Sequence, residues 1–382
     1  MQGMLQLHAT FPEQRVLVLD NNPFNGVPAS DIKAFLSANK WIHVVDHHGA
    51  FNDGVMRSTL PRLLEQTEAL QREGFLGTGT IAVTNAQNLD PDGLLSFYAA
   101  SRPTTAKLLG KLLIDTANYT DFAIFGGERF DLSFRPEELP NYKTLGLALL
   151  QLITEEKERF VERRLGSPID RLDTETIRNV FISANRGAKP AFDHSAVHEI
   201  YLGILHERLD KLLEGFLTHG APDAETLGLA RRAVVRLCDI SRNAKGVTQV
   251  YGADEAHPLG RLAVMSPETG FDTRLDKPYR IYDWLQENAA QYCSEAPVHL
   301  RVYRGMLVVS VRYPRAGEER NNDYDVSPLI AHLNDELEKR GQARSLYGRK
   351  EVVLGMVDIS KFPVEEIRNI VMAHWAEIEK KR

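Results

Sequence analysis

Residues 41–53 read WIHVVDHHGAFND, and Asp46, His47 and His48 at their centre are the side chains best suited to chemistry. An apolar run stops on a carboxylate and two imidazoles. Such groups can hold a divalent cation through oxygen and nitrogen, or pass protons. Four more carboxylates stand at comparable places: Asp20 directly after RVLVL, Asp90 and Asp92 after TIAVT and a polar loop, and Asp121 further on. Gathered in one cleft, bare carboxylates repel each other and shift each other's pKa values. A pair of divalent cations removes that conflict. Asp and His ligands with no nearby cysteine suit Mn²⁺ or Mg²⁺ rather than a thiolate zinc site. Two such ions about 3.5–4 Å apart can each take a phosphate oxygen and activate a water for in-line attack.

These residues need a scaffold that brings distant loops together. Residues 15–19 (RVLVL), 41–45 (WIHVV) and 80–84 (TIAVT) have the length and β-branched content of fully buried parallel strands. Each runs into a polar loop carrying Asp. Between them lie helical stretches, one opened by Ser30 and Asp31, another over 60–72 with Leu60, Leu63, Leu64 and Leu70 at helical spacing. Helices are also expected at 94–100 and 104–116. The pattern predicts a parallel α/β sheet, with its site at the carboxyl ends of the strands. From about 136 to 246 the spacing is amphipathic and helical. After about 251 it predicts an α+β domain: a hairpin over 298–314, a helix over 327–340, a strand over 350–358 and a last helix over 364–379. The expected domains are thus 1–135, α/β and metal-binding; 136–250, helical; and 251–382, α+β.

At 382 residues the chain can bury a large core and more than one domain. A net charge of -6 and a pI near 6.1 argue against a broad nucleic-acid-binding surface, though not against a local basic patch. The N-terminal stretch lacks the basic start and apolar core of a signal peptide, and no apolar run approaches a membrane span. Cys238 and Cys293 have no pairing spacing and read as buried thiols of a reducing compartment. A cytoplasmic protein is expected.

VVDHHG resembles the name-giving motif of the DHH phosphoesterase superfamily, which includes RecJ-type exonucleases, nanoRNA and cyclic-dinucleotide phosphodiesterases and manganese inorganic pyrophosphatases. Asp90-Pro91-Asp92-Gly93 is similar to that family's Asp-x-Asp-Gly metal loop. VLVLD ending at Asp20, 26 residues before Asp46, is similar to its first metal strand, and the stretch from Thr120 through Phe125 to its last metal-binding Asp. The resemblance covers roughly the first 130 residues. It implies a divalent-metal-dependent hydrolase of a phosphate ester or anhydride, with a nucleic-acid end, a nucleotide or short oligonucleotide, a cyclic dinucleotide and pyrophosphate all open as substrates. It implies Asp90 and Asp92 on the metals, Asp20 bridging them, His47 and Asp121 completing the second position, His48 facing the phosphate, and Asp46 orienting a histidine. In the family the Asp-x-Asp loop comes before the DHH triplet; here it follows. Asn88 stands where relatives often carry His or Asp, and the C-terminal part lacks the Gly-Gly-Gly-His substrate loop. The alternative is a non-catalytic DHH-like nucleotide- or protein-binding scaffold with a degenerate metal site.

Further candidates are weaker. Arg301, Arg304 and Arg312, interleaved with Tyr303 and Tyr313, can grip a phosphate and stack a base, though a solvated sheet face with ordinary cross-strand pairs is the favoured reading. His43 alternates with strand apolars and reads as structural. His194 and His198 have the spacing of a helical metal pair but no third ligand. No Gly-x-Gly-x-x-Gly follows a predicted strand, which disfavours a dinucleotide enzyme.

Overall fold

The structure, a computed structural model, describes residues 2–20, 24, 27–47, 51, 57–77, 79–84, 90–123, 133–172, 176, 180, 182–183, 191–192, 194–251, 262–265, 296, 298–303, 306–311, 325–349 and 352–380. It is mixed α/β. Contacts divide the chain into two compact units, one of residues 1–121, 133–234 and 281–284, the other of 122–132, 235–280 and 285–382.

The first unit begins with helix α1 (Gln2–Thr10) and strand β1 (Arg15–Leu19). Then come α2 (Ala29–Ala38), β2 (Ile42–Val45), α3 (Thr59–Arg72) and β3 (Thr80–Thr84). The three strands are parallel in the order β2-β1-β3. Leu19 is in register with Val45 on one side and Thr84 on the other. All three strands therefore stop on one edge of the sheet. Val16, Val18 and Ile42 pack against Ile32 of α2 on one face. The opposite face meets α3 and helix α4 (Pro91–Ser101). Burial on both faces explains why RVLVL has no polar alternation.

Helices α5 (Pro103–Leu108) and α6 (Gly110–Asn118) follow, and α6 runs on into one π-helical turn, Tyr119–Ala123. Next is the 25-residue α7 (Asn141–Leu165). It packs on α4 and α6, so the helical segment expected from 136 does not begin a separate body; 133–234 belongs with the sheet. α7 is buried against α4 and α6 and also meets the helix His194–Gly203. A short two-stranded pairing, β4 (Ile182–Ser183) with β5 (Ala191–Phe192), precedes α8 (His194–Gly203), a second π-helical stretch at Ile204–Leu209, and α9 (Asp210–His219).

Gly146 sets the closest approach of α7 to the π-helical turn. A Cβ there would lie 2.9 Å from both the Thr120 methyl and a Tyr119 ring carbon. Gly146→Ala is expected to destabilise by about 1 kcal/mol, overpacking outweighing the gain in helix propensity. A melt followed by circular dichroism checks it; an unchanged or higher midpoint would contradict it.

The helix α10 (Ala224–Val247) leads to β6 (Thr248–Tyr251) and β7 (Leu262–Met265). In the second unit these join β8 (Val298–Tyr303), β9 (Met306–Val311), α11 (Pro328–Lys339), β10 (Tyr347–Arg349), β11 (Val352–Met356) and α12 (Val364–Lys380). The six strands are ordered β10-β11-β9-β8-β7-β6, antiparallel except for β7 with β8. Leu300, Val302, Leu307 and Val309 pack against Leu333 of α11 and Val371 and Trp375 of α12. Among the described residues no helix is long and apolar enough to cross a membrane.

Candidate metal centre

Register places the chemistry. Asp20 follows the central strand, Asp46 and His47 follow its neighbour β2, and all three are buried. Candidate ligand atoms of Asp20, Asp46 and His47 lie within 4.8 Å of one another, and so do those of His47, Asp92 and Asp121. The two groups share His47. Its Nδ1 is 3.5 Å from Asp20 Oδ1 and 3.8 Å from Asp92 Oδ2, and its Nε2 is 3.3 Å from Asp121 Oδ2.

Asp20 takes a left-handed backbone, φ 49°, the one positive φ outside glycine among the described residues. Aspartate tolerates that region better than most residues. Its amide donates to the Val45 carbonyl (3.0 Å), which turns the carboxylate over the strand ends. Burial, then Asp90, Asp92, Asp46 and Asp121, push the Asp20 carboxyl well above the usual carboxylate range. Asp46 Oδ1 accepts from the His47 amide (2.8 Å) and so fixes the turn that presents the imidazole.

The expected Asp-x-Asp-Gly loop is the start of α4. Asp90 is its N-cap, with Oδ1 accepting from the Gly93 amide (2.7 Å), and Pro91 occupies the first helical turn. Asp90 is not among the atoms of either ligand group, although its charge bears on Asp20. Asp92 points back to α3, where its two oxygens accept from the Thr59 and Leu60 amides at 2.8 and 3.0 Å. A carboxylate there caps the helix and opposes the partial positive charge of its N-terminus. Asp121, expected near a strand end, lies instead in the π-helical turn after α6. Asn118 Oδ1 accepts from the Ser58 amide (3.0 Å) and hydroxyl (3.1 Å), which ties the end of α6 to the start of α3 and brings Asp121 to His47.

Thr59 was not singled out by the sequence, yet it touches three of the candidate ligands. Its hydroxyl donates to Asp20 Oδ1 (3.1 Å) and stands 3.0 Å from His47 Nδ1, while its amide donates to Asp92. Ser58-Thr59 ahead of an apolar helical run was the available signal, a helix start. A hydroxyl has one proton. With that proton given to Asp20, Thr59 accepts from Nδ1–H, and His47 Nε2 is left with a lone pair 3.3 Å from a carboxylate oxygen. Two such groups in a buried place call for a cation between them, a proton on Nε2 or a metal ion. The donor set of one imidazole and several carboxylates suits a hard or borderline divalent cation. The residues present therefore fit a metal ion.

Tyr201 of α8 also reaches this edge and was equally unmarked. It is buried, and its hydroxyl donates to the Asp90 carbonyl oxygen at 3.5 Å. Burial, then the charges of Asp90 and Asp20, push its phenol well above the ordinary value.

Of the other expected site residues, His48, Arg304 and Arg312 lie outside the described residues, as does Asn88. Arg301 is buried on β8 of the second unit, on the sheet face it shares with buried His299 and Ser310, so a solvated face does not describe it. His43 is structural: Nε2 is 2.9 Å from Gln66 Oε1 and the ring leans on Phe75.

Comparison of the chain with protein-family models, with curated proteins and with solved structures finds no match.

Proposed function

We propose that this chain is a divalent-metal-dependent phosphohydrolase of DHH type, acting on a phosphate ester or anhydride of a nucleotide or short oligonucleotide. The observation that carries the proposal is buried His47 ringed by Asp20, Asp92 and Asp121, its Nε2 facing a carboxylate. Asp20, Asp46, His47, Asp92 and Asp121 are the residues that would hold Mn²⁺ or Mg²⁺. When bound, such an ion supplies Lewis acidity toward a phosphate oxygen and lowers the pKa of water.

The chain's own residues do the rest. Thr59 fixes the His47 ring through Nδ1 and turns Nε2 toward Asp121. Asp46 holds the backbone turn that carries that ring. Asp92, anchored by two amides, keeps one carboxylate in place without needing to reorganise. Two cysteines without pairing spacing favour the cytoplasm as the compartment.

One observation favours a second reading, a binding scaffold without catalysis: Asp90 and Asp92 already accept amide hydrogen bonds at two helix starts. Metal analysis after dialysis against Mn²⁺, followed by assay with bis-p-nitrophenyl phosphate, separates the two. The hydrolase reading expects bound Mn²⁺ and turnover that chelation removes and Mn²⁺ restores. No turnover, with or without bound metal, defeats the hydrolase reading and selects the scaffold.

A further inference from the structure

We propose that Tyr201 is a positioning residue of the metal centre: its hydroxyl holds the Asp90–Gly93 turn against Asp20 and so sets the affinity for a divalent cation. The inference rests on the metal reading above and extends the site into a helix outside the 1–135 segment.

Three observations meet at one place. Tyr201 is fully buried, and its hydroxyl lies on the carbonyl of Asp90, 111 residues earlier in the chain. A Cβ on Gly93 would lie 3.0 Å from that hydroxyl and 3.3 Å from both Asp20 Oδ2 and Asp90 Oδ1. The phenol, both carboxylates and the Gly93 backbone therefore crowd together, and a Cβ at Gly93 would require the hydroxyl to give by a few tenths of an ångström. Phe97, one helical turn beyond Gly93 on α4, lies parallel to the Tyr201 ring with centroids 6.4 Å apart. The ring is thus fixed by the same helix whose first turn it touches. In a cluster of carboxylates, a neutral donor adds a hydrogen bond without adding negative charge.

The test is the Mn²⁺ dissociation constant, read from free Mn²⁺ by electron paramagnetic resonance, for wild type and Tyr201→Phe, with melting in chelator as a control. A partner hydrogen-bonded directly to a ligand costs about tenfold or more in metal affinity when lost; Tyr201 acts one step further out, through the Asp90 carbonyl, so a several-fold loss is expected. The expected result is that loss with an unchanged chelator melt. Equal affinities overturn the proposal, and so does a loss matched by a falling melt, which marks a purely structural tyrosine. Gly93→Ala provides a second measure: it should weaken Mn²⁺ binding, and less so in the Tyr201→Phe background, where the hydroxyl no longer obstructs. Additive effects, or no effect of Gly93→Ala, overturn the proposal. Wild type that binds no Mn²⁺ defeats the metal reading itself.

Discussion

Asp20→Asn is expected to abolish Mn²⁺ binding and at the same time raise the melting temperature of the metal-free protein. Asparagine keeps an oxygen for the Thr59 hydroxyl to donate to, and it is at home at a left-handed φ of 49°. It removes a charge that burial and four neighbouring carboxylates disfavour. The sign follows from linkage. A carboxyl whose pKa is raised by folding stabilises the fold while protonated. That contribution is complete below the ordinary value of 3.8 and is lost as pH rises through the higher folded value. Metal-free wild type should therefore weaken from acid toward neutral pH, and Asp20→Asn should not. At neutral pH the variant is the more stable of the two, each kcal/mol of gain corresponding to about 2–4 °C in a body of this size.

Metal inverts the order. Mn²⁺ at a hundredfold excess over its dissociation constant stabilises wild type by about 2.7 kcal/mol and the variant not at all. That stabilisation should grow with pH, because proton and metal compete for Asp20. Hydrolysis should fall roughly a thousandfold, equivalent to about 4 kcal/mol of transition-state stabilisation. His47→Ala should match the loss of binding and turnover without the gain in stability, since it leaves a cavity and strips Thr59 of a partner. Differential scanning fluorimetry in chelator and in Mn²⁺ reads all of this. A lower chelator melt for Asp20→Asn would contradict the electrostatic account of the cluster.

The three parallel strands were legible because burial on both faces forces an uninterrupted apolar run, as in Val16, Leu17, Val18 and Leu19. Their order was not, because pairing is a long-range property. With β1 in the centre, Asp20 stands between the end of β2 and the end of β3, so strand order rather than chain order decides which strand ends adjoin it. Asp121 was legible as a residue type but not as a position, since a π-helical turn leaves no pattern in the hydrophobic spacing. Asp90-Pro91-Asp92-Gly93 resembles a metal loop and forms a helix start, and nothing local in the sequence separates the two readings. Thr59 could have been found from its helix-start context, whereas Tyr201 could not, its partner lying 111 residues away. The boundary expected near 135 reflected a real change from strands to helices, but helices pack on sheets, and α7 does so here through α4 and α6.

Thr59→Val should raise the Mn²⁺ dissociation constant about ten- to a hundredfold, the usual cost of losing a group that orients a metal-binding histidine. Valine has nearly the volume of threonine and keeps the amide that Asp92 accepts from, so the start of α3 stays capped. What disappears is the hydroxyl between Asp20 and His47. Asp20 Oδ1 loses its donor, and Nδ1 loses the acceptor that keeps its proton on that side of the ring. His47 is then free to carry its proton on Nε2, facing Asp121, where it competes with metal for the lone pair. In chelator the fold should lose about 1–3 kcal/mol from polar groups buried without their partner. Thr59→Ser keeps the hydroxyl and should retain most of the affinity, whatever the loss of the methyl does to packing. Isothermal titration with Mn²⁺ across wild type, Thr59→Ser and Thr59→Val therefore separates orientation from packing. If valine and serine bind equally, the hydroxyl does not orient His47, and the lone pair at Nε2 must be set by something else.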